Sequence, residues 1–129
     1  MVKRGEKMLS FVKIEKELES DYRRALEEVK RPDEVHKVFK EFAFRLLKKV
    51  KEDIDEDMMV FLKLTPENGE HYKMDEKLLE FLGEELTKKS DLLAIIGRMA
   101  QSAAHRYLKL KRDDERTDLF RLGEGSKAH

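Results

Sequence analysis

The sequence predicts an all-α protein, a four-helix antiparallel bundle in one domain spanning residues 1–129, and three observations carry that reading. Apolar residues recur at steps of three and four through most of the chain, the period of one helix face. The breaks between these stretches are short and hold proline or good helix-capping residues. The length, 129 residues, is that of one domain, and 40 % hydrophobic content beside 43 % charged gives a core under a dense ionic coat rather than a disordered chain.

The first helix is expected over about 6–30. Met8, Phe11, Ile14, Leu18, Tyr22, Ala25 and Val29 follow the helical period, and the residues between them are mostly Lys, Glu, Arg and Asp. Arg31-Pro32-Asp33 interrupts, because a residue before proline is pushed out of the helical region while proline fits a first turn. The second helix is expected over 33–62, with Val35, Val38, Phe39, Phe42, Ala43, Leu46, Leu47, Val50 and Ile54 inward. Acids are disfavoured in a last helical turn. The cluster Glu52, Asp53, Asp55, Glu56 and Asp57 therefore argues that this helix continues to about Leu62.

The alternative is an α+β fold with one small hairpin at 59–74. In that version Met58 to Leu64 is a short apolar run, Thr65-Pro66-Glu67-Asn68-Gly69 turns, and His71 to Met74 returns. A third helix over 75–88 starts at the N-cap residue Asp75 and turns Leu78, Leu79, Leu82 and Leu86 inward, with Gly83 inside it. Ser90 caps a fourth helix over 91–115, whose apolar face is Leu92, Ile96, Met99, Ala103, Tyr107 and Leu110. Gly97, Ala100 and Ala104 form a small-residue ridge on that helix, and residues 1–5 and 117–129 are expected to fray.

Composition narrows the setting. Cysteine is absent, which removes disulfides, thiolate metal sites and cysteine nucleophiles. No apolar run approaches the roughly 20 residues of a membrane span. The charged start leads straight into a helical pattern, so the cytoplasm is the expected compartment. The chain holds 18 Lys and 18 Glu but one Asn and one Gln, a balance that high growth temperature favours. A thermophilic source is the expectation.

Few residues point to chemistry. His36, His71, His105 and His129 show no i, i+4 pair for one metal, no glycine-rich loop cradles phosphate, and no serine elbow is present. No cofactor, no metal and no catalytic residue are expected. Glu52-x-x-Asp55 and Asp53-x-x-Glu56 have a spacing that could hold magnesium. The all-α nucleotide pyrophosphohydrolases place two such motifs on facing helices, and this chain supplies one cluster. A magnesium-dependent enzyme of that kind is the second alternative.

Five cations and no acid lie between Arg98 and Arg112, and Arg98, His105, Lys109, Arg112 and Arg116 fall on one polar stripe with Ser102. Such a stripe suits phosphates, so a nucleic-acid-associated module is the first alternative. It also suits pairing with the acidic cluster at 52–57, which two parallel helices of an up-down-up-down bundle bring together. The leading expectation is a non-catalytic interaction or assembly protein acting as a homodimer. Met58, Met59, Phe61 and Leu62 are its candidate interface, because an apolar run wrapping every side of a helix calls for a partner. The cluster Leu119-Phe120-Arg121-Leu122 is a further docking element, for its own bundle or for a partner chain.

Overall fold

The structure, a computed structural model, describes the backbone of residues 9–127 and the side chains of residues 9–113. The expected fray of 1–5, and the side chains of Arg116 and of the Leu119–Leu122 cluster, lie outside the described residues. The predominantly helical character is as the periodicity predicts, with a small two-stranded antiparallel sheet inserted.

Helix α1 spans Val12–Glu28. Its start falls later than residue 6 because Leu9 is held in a parallel bridge with Ser90. The Leu9 N–H donates to Lys89 O, and the Asp91 N–H donates to Leu9 O. Helix α2 spans Pro32–Val50, with Pro32, Asp33 and Glu34 in its first turn. The Glu34 carboxylate accepts from the N–H groups of Lys30 and Arg31, just ahead of the helix start.

The expected continuation of this second helix to Leu62 is overturned: α2 stops at Val50. The dipole rule is obeyed in a different place. Lys48 and Lys49 occupy the last turn, where cations are favoured, and the acids begin only after it. Asp55 then opens a 3-10 helix, Glu56–Phe61, by accepting the N–H of Asp57 at 3.3 Å. Glu56 and Asp57 thus sit at a positive helix end rather than a negative one.

The hairpin alternative is the arrangement present. Strand β1 (Leu62–Leu64) pairs antiparallel with β2 (Tyr72–Met74) in the register Leu62–Met74, Lys63–Lys73 and Leu64–Tyr72. Leu62 and Leu64 are buried and Lys63 is exposed, the two-residue alternation of a half-covered strand. The connecting turn is tied by Thr65 N–H to His71 O and by His71 N–H to Asn68 O, with His71 in the left-handed region at φ 69°.

The expected helix over 75–88 is two short pieces, α3 (Glu76–Leu82) and α4 (Glu84–Thr87). Gly83 divides them at φ 86° and ψ 163°, a conformation that glycine adopts without strain. Asp75 caps α3 through the Lys77 N–H at 2.9 Å. Ser90 Oγ accepts the Leu92 N–H, and helix α5 then runs Leu92–Lys127, past the expected end near 115.

The direction of α5 corrects a second expectation. Its contacts with α1 advance together along both helices, from Glu15–Arg98 through Tyr22–Met99 to Leu26–Arg106, so α1 and α5 are parallel. The short turn at 29–31 makes α2 antiparallel to α1, and hence to α5. The hairpin and two short helices take the place of a full third helix, so the acidic cluster lies toward the start of α5 instead of its basic end. The core lies among α1, α2, α5 and β1, with Val35, Phe39, Leu46, Leu47, Leu62, Ile95 and Ile96 fully buried. Among the described residues no helix is long and apolar enough to cross a membrane.

Candidate functional site

Two parallel helices that touch along one edge leave a furrow beside it. Between α1 and α5 that furrow is a groove of about 200 Å³. Tyr22, Leu26 and Met99 are its buried floor and Leu18 its half-buried wall, while Glu15, Glu19, Arg23, Arg98 and Ser102 form the rim. Tyr22 fixes the floor by donating its phenol to the carbonyl of Met99 at 2.6 Å. Burial pushes the Tyr22 pKa well above the usual phenol range, so the group stays a donor.

The rim is neutralised internally. The Glu15 carboxylate accepts two bonds from the Arg98 guanidinium, at 2.9 and 2.8 Å, and these bonds hold the guanidinium firmly protonated. Arg23 reaches Glu19 at 2.9 Å on the same helix. The volume is below the range of ordinary small-molecule sites. It matches one or two apolar side chains, as when a helix seats its apolar face in a groove.

The basic stripe is only partly available. Arg98 is held by Glu15. Arg106, next to the stripe, donates to the carbonyls of Leu26, Glu27 and Val29, closing the C-terminal end of α1. Lys111 pairs at 2.9 Å with Glu67 in the hairpin turn, away from the 52–57 cluster. His105, Lys109 and Arg112 are exposed, and Arg116 lies where only the backbone is described.

The four residues of the 58–62 candidate interface are placed by the 3-10 helix and hairpin. Met59 and Leu62 are in the core, and Met58 and Phe61 are half-buried against it. Val60, 58 % exposed, is the outward residue of this segment. The acidic cluster is dispersed: Asp53 pairs with Lys51 at 3.9 Å, and Asp55 is a cap. Among the described residues no group of three or more His, Asp or Glu side chains converges to hold a metal ion. His36 packs edge-on against Tyr107 with ring centroids 5.3 Å apart.

The groove is not legible as a site in the sequence, because Leu18, Tyr22 and Met99 read as ordinary core positions of the helical period and Leu26 falls outside that reading. No local pattern in the sequence marks it, since the periodicity predicts a full third helix over 75–88. Comparison with known protein families, curated proteins and solved structures finds no match to this chain.

Proposed function

We propose that this chain is a non-catalytic helical assembly protein that self-associates as a homodimer through the α1–α5 groove. The observation that carries the reading is the groove itself, an apolar furrow between parallel helices where a further helix would complete a bundle. The four-helix arrangement that the sequence suggests is, on this reading, completed between chains. The Lys- and Glu-rich coat with almost no amides fits the cytoplasm of a thermophile, an assignment that rests on composition.

Nucleic-acid binding is a weaker reading, since Arg98 and Arg106 are occupied by α1 and the exposed run shortens to His105, Lys109 and Arg112. The chain contains no tryptophan, so Ser102→Trp on the exposed rim places a single reporter at the groove. Its emission is expected to shift to the blue as protein concentration rises and the groove closes. An emission maximum that stays at the solvent-exposed position over a wide concentration range contradicts the reading.

A further inference from the structure

The length of α5 bears on what fills the groove. It has 36 residues against 17 in α1 and 19 in α2. At 1.5 Å per residue it is about 54 Å long, against about 26 and 29 Å for its neighbours. Arg106 marks where α1 ends alongside it. From there to Leu119 the helix advances about 20 Å further, past the turn joining α1 to α2.

The same geometry keeps this end away from its own groove. Ser102, the last α5 residue on the rim, is separated from Leu119 by about 26 Å of one continuous helix. A second copy has no such constraint. The chemistry of the two segments matches. Residues 114–124 hold four acids (Asp114, Glu115, Asp118 and Glu124) against Arg116 and Arg121, and their apolar residues are Leu119, Phe120 and Leu122. The α5 side of the groove continues into exposed His105, Lys109 and Arg112, with no acid between Arg98 and Arg112.

We infer that the occupant of the groove is the projecting end of α5, residues 114–124, from a second copy of this chain. Reciprocal exchange gives each copy one filled groove and one inserted end, so the assembly closes at two with two-fold symmetry. The apolar residues of the end complement Leu18, Leu26 and Met99, and its acids complement the basic edge of α5. The inference rests on the groove being the association surface.

The test compares solution masses by size exclusion with light scattering. Leu18→Glu alters the half-buried groove wall, Ser102→Glu alters the exposed rim without touching the core, and a Phe120→Glu, Leu122→Glu double variant alters the projecting end. Each is expected to dissociate at concentrations at least tenfold above those that dissociate the unaltered dimer. An equimolar mixture of the rim variant and the end variant is expected to form a mixed dimer, because one groove and one end remain intact. A mixture no heavier than its separate components contradicts the exchange. Loss of dimer in the groove variants but not in the end variant overturns the inference and leaves association through the groove standing. Unchanged dimers in both groove variants overturn the groove reading itself.

Discussion

Tyr22 donates its phenol to the main-chain carbonyl of Met99 at 2.6 Å, joining α1 to α5 across the floor of the groove. The bond is buried, and Tyr22 also packs on Phe42 with ring centroids 5.2 Å apart. Tyr22→Phe keeps the ring and removes only the bond. The expected loss is about 1 kcal/mol, read as a fall of roughly 3–5 °C in thermal midpoint. An unchanged midpoint would show that the carbonyl is equally well satisfied without the phenol.

Arg106 closes the end of α1 by donating to the carbonyls of Leu26, Glu27 and Val29 at 2.8, 3.1 and 3.0 Å. Arg106 reaches these carbonyls from two nitrogens of its planar guanidinium, whereas a lysine gathers its three donors on one nitrogen and lacks that fixed fork. Arg106→Lys and Arg106→Ala are both expected to destabilise, by about 1–3 kcal/mol in chemical denaturation, with lysine recovering little. Full recovery by lysine would reduce the role of Arg106 to its charge.

Gly83 and Gly97 respond differently to alanine. Gly83 sits at φ 86° with open space around it, so the cost of Gly83→Ala is conformational, about 1–3 kcal/mol. A methyl on Gly97 would meet Tyr72 Cε1 at 3.7 Å, an ordinary contact, within a helix that gains from alanine. Gly97→Ala is therefore expected to be neutral or to stabilise by up to about 1 kcal/mol. Midpoints in denaturant for the two variants check the opposite signs.

His36 gives the fold a pH dependence with a definite sign. Burial against Tyr107 lowers its pKa, Lys40 lowers it further, and Asp33 acts in the opposite direction. The folded protein therefore binds this proton less readily than the unfolded chain. Its contribution is fully present above the ordinary histidine value of about 6.5 and is lost as pH falls below it toward the lower folded value. His36→Gln should flatten the stability profile between about pH 7 and 5. A variant profile that falls as steeply as the unaltered one would assign the dependence to other groups.

How far the residues foretell this structure differs along the chain. The period through Leu18 and Tyr22, the proline at position 32 and the caps Asp75 and Ser90 act through local chemistry, and each element they mark is present. The end of α2 is misread from the sequence because Glu52–Asp57 satisfies the dipole rule in two ways, by lying inside one long helix or by opening a second one at Asp55. Met58 to Leu64 reads as a partner surface only if it is a helix, which would be apolar on all sides. As a 3-10 turn and strand it buries Met59, Leu62 and Leu64 instead. The groove is out of reach of local patterns because it depends on α1 and α5 being parallel. That follows from a third helix broken at Gly83 and preceded by a hairpin.

The solution mass of the unaltered chain, by light scattering at two protein concentrations and at low and high salt, decides most directly whether the chain pairs. A reciprocal dimer predicts twice the chain mass at both concentrations in low salt, with the dimer weakened when salt screens the acidic end from the basic edge. A mass equal to one chain under every condition would contradict it.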